Sequence, residues 1–208
     1  MALTIYGDAD SRTMRVFWAA HELGLDFENV PYRFDDPRLK QPDFLAINPA
    51  GTIPAIDDGG VRLGESLAIV LYLAKKYGTP KLYPATPGGE AQVWRWALWA
   101  QGHLEPWVQG DVLWKDAMTG IGVLAKPLLE RACALLETTL AQRDWLAGDD
   151  FSAADLAVAA VLSPSRAIKL PLERFPRILD WHIRCYDRPA AIKTRGGPSP
   201  LKPPPRSP

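Results

Sequence analysis

The sequence predicts an α/β domain followed by an all-α domain, and three observations carry that expectation. Strand-like apolar runs are confined to the stretch before Gly64. A turn-rich segment without periodicity, Gly78-Thr79-Pro80 to Pro84-Ala85-Thr86-Pro87-Gly88-Gly89, then interrupts the chain. Beyond it only helical spacing recurs. The expected division is 1–77 for the α/β domain, 78–89 for the linker, 90–192 for a helical bundle and 193–208 for a Pro-rich tail.

Leu3 to Tyr6 reads as a short strand, and Ser11 to Leu23 as an amphipathic helix carrying Met14, Phe17 and Trp18 at helical spacing, closed by Gly24. Phe27 to Tyr32 reads as a second strand, so the chain opens with a right-handed strand, helix, strand crossover, as thioredoxin-like folds do. A loop leads to a short helix around Asp43 to Ile47. Ile53 to Asp57 and Val61 to Leu63 then form a hairpin around Asp58-Gly59. Glu65 to Lys76 closes the domain as a helix with two apolar faces, Leu67, Val70, Leu71 and Ala74 on one and Ile69, Tyr72 and Leu73 on the other. One face suits the sheet, and the other predicts a homodimer partner.

In the second half, helices are expected over Glu90 to about Gln109, Val123 to Gln142, Ala153 to Leu162 and Arg177 to Tyr186. Pro106 should end or kink the first, and Pro127 should fall in the first turn of the second. Ser152-Ala-Ala-Asp155 reads as a structural capping box. The tail from Gly196 has too few apolar residues to fold alone.

Composition narrows the function. The 208 residues are 47% hydrophobic, and 24 Lys+Arg balance 24 Asp+Glu. Such a chain can bury a sizeable core and has no global field to recommend nucleic acid or an anionic membrane. Small neutral partners fit better. Cys133 and Cys185 lack metal or redox spacing and read as buried thiols in a reducing compartment. No metal cofactor is expected. The start, MALTIYGDAD, has no leader character and no stretch is apolar enough to span a bilayer, so a cytoplasmic location is expected.

The stretch Asn48-Pro49-Ala50-Gly51-Thr52-Ile53-Pro54-Ala55-Ile56, with Asp57-Asp58-Gly59-Gly60 and then Gly64-Glu65-Ser66, carries the chemistry. Pro54 interrupts an apolar alternation and cannot donate to a ladder, so backbone beside it is open to an extended ligand. Glu65 and Ser66 open a helix, where unpaired N–H groups favour a carboxylate. This run resembles the glutathione-binding signature of the cytosolic glutathione transferases, and with the second-half helical pattern and capping box the resemblance covers about residues 2–192. It implies a cis Ile53-Pro54 bond, main-chain pairing of Ile53 with the cysteinyl part of glutathione, and binding of the γ-glutamyl end by Glu65 and Ser66. A homodimer is the usual assembly.

Transferase chemistry needs glutathione's thiol as thiolate, and a free cysteine thiol has a pKa of about 8.5. Ser11, in Asp10-Ser11-Arg12-Thr13-Met14-Arg15-Val16, resembles the serine of the Ser-Arg-x-x-Arg-Val segment of bacterial serine-type transferases, which implies catalysis; the alternative is a plain helix cap. Tyr6 competes, because several classes use a tyrosine at the end of the first strand; its alternative is packing on the sheet. The active-site cysteine of other classes has no counterpart before Cys133. Lys40, two residues before Pro42, matches a lysine near the glycyl carboxylate in phi-like members, although Leu39 replaces the usual histidine, and a solvated loop lysine is the alternative. Arg12 and Arg15 stand between ligand charge and surface. The pocket for a small hydrophobic electrophile is expected from Trp107 and Trp114, with Trp94, Trp96 and Trp99 more suited to core, and His103 reads as a packed helix residue. The expected function is a glutathione transferase acting on glutathione as co-substrate. The alternative is a catalytically silent glutathione-binding carrier or interaction module of the same fold.

Overall fold

The alternation that marks Leu3–Tyr6 as a strand (β1) sets two faces: Leu3 and Ile5 enter one apolar cluster and Tyr6 another. The structure is a computed structural model that describes residues 3–113 and 119–201. After β1 come α1 (Thr13–Glu22), β2 (Phe27–Val30), a 3-10 turn (Pro37–Lys40), α2 (Pro42–Leu45), β3 (Ala55–Asp58), β4 (Val61–Gly64) and α3 (Ser66–Gly78). Then follow α4 (Pro87–Trp99), a π-helical turn (Ala100–Leu104), α5 (Glu105–Leu113), α6 (Thr119–Leu140), α7 (Ala153–Val161), α8 (Pro164–Ala167), α9 (Pro176–Tyr186) and α10 (Pro189–Arg195). The described residues form two compact units, one running to Tyr83 and taking up Pro189–Gly196, the other running from Pro84 to Arg188.

The first unit is thioredoxin-like. Its sheet has the order β2-β1-β3-β4, with β1 parallel to β2 and antiparallel to β3, and β3 antiparallel to β4. Leu3, Ile5 and Ile56 bury themselves against Val16, Phe17 and Ala20 of α1 and Ile69 and Leu73 of α3. The opposite face carries Ala55 and Tyr6 with Leu39 and Phe44. The hairpin turn falls on Gly59-Gly60 and not on Asp58-Gly59, because both central positions have positive φ, 63° and 95°, which favours glycine. The C-terminal α10 returns to this unit, where the Thr194 hydroxyl meets His21 Nδ1 of α1 at 2.8 Å. This helix runs into the stretch that reads from sequence as the start of the tail.

Two expectations about α3 are revised. On its two apolar faces Leu67, Val70 and Ala74 are as buried as Ile69 and Leu73, while Leu71 and Tyr72 are half-buried. Among the described residues the apolar faces of α3 are thus mostly buried, and they do not by themselves argue for a partner. Asp58, which reads as a turn residue, ends β3 on the helix-facing side, with 3% of its surface exposed. It accepts hydrogen bonds from Tyr72 Oη and Lys76 Nζ, each at 2.8 Å, and from Tyr77 Oη at 2.8 Å. Burial pushes the Asp58 carboxyl up, but the bonds from Lys76, Tyr72 and Tyr77 and the Lys76 charge outweigh it and hold the group below the usual range.

The second unit is all-helical. Pro106 does not end the Trp-rich helix. The preceding turn is π-helical, with Glu105 N–H bonded to Ala100 O, and this widening takes the helix through to α5. Pro127 lies well inside α6, which begins at Thr119, and not in its first turn. The capping box at α7 is present: Asp155 Oδ2 accepts from Ser152 N and Ser152 Oγ, both at 3.0 Å. Asp155 Oδ1 also accepts from Leu146 N and Trp181 Nε1, so one buried carboxyl joins three segments. No helix among the described residues is long and apolar enough to cross a membrane.

The depressed Asp58 carboxyl sets a pH dependence. Its contribution to stability is full above its unfolded value of about 3.9 and is lost as pH falls through the lower folded value. Urea denaturation of wild type and Asp58→Asn should therefore differ by about 1–3 kcal/mol near neutrality, the cost of losing a bonded buried charge, and the gap should close as pH falls below the unfolded value. A gap independent of pH would contradict the assignment.

Candidate active site

One row of the sheet brings the site together. Tyr6 pairs with Ala55, and Ala55 pairs with Gly64. From that single end depart the loop 7–12 after β1, the Ile53-Pro54 pair before β3 and Glu65-Ser66 after β4. Two helix N-termini, those of α1 and α3, begin at the same end.

Ser11 lies just before α1 and is half-buried. Its Oγ accepts the Thr13 backbone N–H at 3.1 Å, lies 2.8 Å from Thr13 Oγ1 and donates to Asp8 O at 2.9 Å. The N-cap of α1 is Arg12, without a side-chain cap bond, and Ser11 stands one residue before it, so its hydroxyl bonds the first helical N–H and lies at the N-terminus of α1. Tyr6 instead packs beside Tyr32 and Phe44, with ring centroids 6.4 and 6.1 Å away, on the face opposite α1. Burial, reinforced by the Asp57 carboxylate, pushes its phenol up.

The Ile53-Pro54 bond is cis, as the resemblance implies. Pro54 is buried and Ile53 half-buried, lying outside the strand ladder. The loop before it is held by Asn48, whose Nδ2 donates to Thr52 O at 2.8 Å and whose Oδ1 accepts from Ala50 N at 3.2 Å. Lys40 adds a second tether, with Nζ donating to Gly51 O at 2.9 Å. Gly51 has φ 61°, and a Cβ there would lie 2.7 Å from that ammonium. Lys40 is thus a loop clamp as well as a cation on the surface.

Glu65 is exposed at the N-cap of α3, with φ 65° and ψ 109°. It is the one non-glycine residue with positive φ among the described residues. Ser66 is buried, and its Oγ accepts from Arg15 Nη1 at 3.2 Å. Arg15 is 2% exposed, so the surface alternative does not hold for it, whereas Arg12 is exposed. Sequence spacing could have suggested this, since Arg15 shares a helix face with Trp18 and Ala19, but helical periodicity assigns a buried position without saying what satisfies a cation there.

In the second unit, Trp107 is half-buried on α5, and Trp114 lies outside the described residues. Trp96 is buried, with Trp99 edge-on at 5.2 Å, while Trp94 is exposed and does not serve as core. His103 is exposed, which overturns its reading as packed. It falls on the π-helical turn, which shifts the helical register at this point.

Comparison with known proteins agrees with this architecture. The family model "Glutathione S-transferase, N-terminal domain" matches residues 1–75 and "Glutathione S-transferase, C-terminal domain" matches 104–184. The chain is 35% identical to glutathione S-transferase 3 of Zea mays, over 99% of this chain and 98% of that relative. A solved glutathione S-transferase-I bound with lactoylglutathione superposes with TM-score 0.81 at 27% identity, covering 94% of this chain and 99% of the other. Ure2p in complex with glutathione shares the fold, with TM-score 0.85 at 23% identity, over 94% of this chain and 93% of that one. The chain belongs to the glutathione S-transferase family and is a glutathione transferase.

Asn48 tests how the loop is held. Replacing it with Ala removes the Thr52 and Ala50 bonds and should cost about 1–3 kcal/mol in urea denaturation. Glutathione affinity by calorimetry should fall several-fold, because Ile53 loses its fixed position. Unchanged stability and unchanged affinity would show the loop to be held by Lys40 alone.

Proposed function

We propose that the protein activates the thiol of glutathione through Ser11, as a serine-type transferase, for attack on a small hydrophobic electrophile. The observation that carries this reading is the convergence of the Ser11 hydroxyl, the Ile53-Pro54 backbone and the buried Ser66 at one end of the sheet. A tripeptide laid there as an added strand would pair its cysteinyl main chain with Ile53. Its γ-glutamyl end would meet the Glu65 carboxylate and the N-terminus of α3, where Arg15 adds positive charge behind Ser66. Lys40 would meet the glycyl carboxylate with the donor that its loop carbonyls leave over. Ser11 then faces the sulfur. Lowering the thiol pKa by about two units needs roughly 2.7 kcal/mol of preference for the thiolate, within reach of a hydroxyl bond and a helix N-terminus. Trp107, with Trp114, is proposed for the electrophile side. The cytoplasm is the compartment this reading suits.

Ser11→Ala should lower kcat/KM with a standard aromatic electrophile by about ten- to a thousand-fold while leaving glutathione affinity within a few-fold. Glu65→Gln should weaken binding first, because its charge meets the ligand's ammonium group. Tyr6→Phe is the control. If it abolishes activity while Ser11→Ala does not, the tyrosine is the activating group; if neither matters and bound glutathione shows no thiolate absorbance near neutral pH, the protein is a silent glutathione carrier.

A homodimer is also proposed, on a different surface from α3. Ala91, Trp94 and Leu98 make an exposed stripe on α4, with Trp94 52% and Leu98 71% exposed, at the spacing of one helix face. We assign a second copy of the chain as its occupant, because the resemblance to glutathione transferases implies a homodimer. Sedimentation should give a dimer at micromolar concentration and a monomer for Trp94→Glu/Leu98→Glu; a wild-type monomer would reject the proposal.

A further inference from the structure

The hydrogen-bond roles around Ser11 can be assigned from elementary counting. A serine hydroxyl offers one hydrogen and two lone pairs. Three groups lie within bonding distance of Ser11 Oγ: Asp8 O at 2.9 Å, Thr13 Oγ1 at 2.8 Å and Thr13 N at 3.1 Å. The Thr13 N–H can only donate and takes one lone pair. The Asp8 carbonyl can only accept, so the Ser11 hydrogen goes to it; directed at Thr13 instead, it would leave two acceptor oxygens 2.9 Å apart with no hydrogen between them. Thr13 Oγ1 is therefore the donor of the 2.8 Å bond and takes the second lone pair.

Thr13 is held in that role. It is 0% exposed, and among the described residues its hydroxyl has no other hydrogen-bond partner. Gly7 leaves it room, because with φ +132° it has no Cβ where Thr13 Oγ1 sits.

We propose that Thr13 is a positioning residue that fills both lone pairs of Ser11 Oγ, so that Ser11 can meet the glutathione sulfur only as a hydrogen-bond donor. The inference rests on the reading of Ser11 as the thiol-activating group. Binding of glutathione turns the Ser11 hydrogen from Asp8 O to the sulfur, whose negative charge makes it the stronger acceptor; the Ser11–Asp8 contact then opens, while both Thr13 bonds stay in place. A hydroxyl with a free lone pair could also accept from the neutral S–H group, and so would favour thiol and thiolate more evenly. With both pairs occupied it donates strongly to the thiolate, only weakly to the neutral sulfur, and cannot accept from the S–H. The Thr13 hydroxyl also polarises the Ser11 O–H, which strengthens it as a donor.

The test uses full-length wild type, Thr13→Val, Thr13→Ser, Ser11→Ala and Ser11→Ala/Thr13→Val. The ultraviolet absorbance of the thiolate of bound glutathione is titrated, beside the pH profile of kcat/KM and glutathione affinity by calorimetry. Thr13→Val should raise the apparent thiol pKa by about 0.5–1 unit and move the acid limb of kcat/KM with it, lowering the neutral-pH rate about three- to ten-fold. Affinity should stay within about three-fold, Thr13→Ser should restore the wild-type profile, and Thr13→Val should add nothing in the Ser11→Ala background. Thr13→Ala, which leaves space where Val leaves a methyl, is a second hydroxyl-less variant that must shift the thiol in the same way if Thr13→Val fails to fold. The proposal is overturned if Ser11→Ala raises the thiol pKa and neither hydroxyl-less variant does. It is likewise overturned if Thr13→Ser behaves as Thr13→Val, or if the Thr13→Val shift persists without Ser11. Should Ser11→Ala leave the thiol pKa unchanged, the reading of Ser11 itself falls, and this inference with it.

Discussion

The pairing of Tyr6 with Ala55 is the constraint on which the first unit depends. In an antiparallel pair of strands, the end of one lies beside the beginning of the other, so the loop after β1 and the Ile53-Pro54 pair before β3 must meet. Because Ala55 also faces Gly64, the start of α3 is drawn to the same place. A slip of one residue would turn Ile5 and Ile56 away from α1 and α3 and bring Tyr6 into their cluster. The apolar alternation that stabilises the sheet thus also fixes where Ser11, Ile53 and Ser66 come together.

Several buried polar side chains then hold the sheet, its loops and its helices in register, at this end and at the opposite one. Arg15 joins α1 to α3 through Ser66, and Asn48 closes the loop that presents Ile53. Asp58 ties the far end of β3 to α3 through Tyr72, Lys76 and Tyr77. Apolar packing alone would leave α3 free to slide along the sheet, since dispersion and burial are not directional. Hydrogen bonds to buried charged groups are directional and costly to break, so they define the register of the helix on the sheet.

The parts of the fold that follow from local pattern were legible in the sequence. Strand alternation marked β1, the turn residues after Asp57 marked the hairpin one residue off its centre, and Ser152 with Asp155 marked the cap of α7. The cis bond at Pro54 was reached by resemblance and not by physics, because nothing local distinguishes it from an ordinary proline. What stayed hidden depends on distant partners. Asp58 beside two glycines has the local chemistry of a turn, and only the approach of α3 makes it a buried acceptor. The return of α10 to α1 joins residues 173 apart in His21 and Thr194, which no window of the sequence contains. The π-helical turn before Pro106 shows the reverse case, in which the proline was seen but the helix had a way to absorb it.

Glu65 shows how the same end of the sheet holds both strain and function. A glutamate at φ 65° and ψ 109° occupies backbone that costs a non-glycine residue about 1–3 kcal/mol. Glycine would avoid that cost, and Gly64 immediately before it shows that the chain uses glycine here when packing demands it: a Cβ on Gly64 would lie 2.9 Å from the Asn48 side chain. At position 65 the side chain is exposed and makes no capping bond to its own helix. The strain is therefore not offset by a local contact of the carboxylate. It is maintained by the elements on either side, β4 paired with β3 and Ser66 bonded to Arg15, which fix the chain before and after residue 65. A carboxylate held outward in that way at the mouth of a helix N-terminus would, in the proposed mode of binding, meet the ammonium group of a ligand whose neighbouring carboxylate meets the helix.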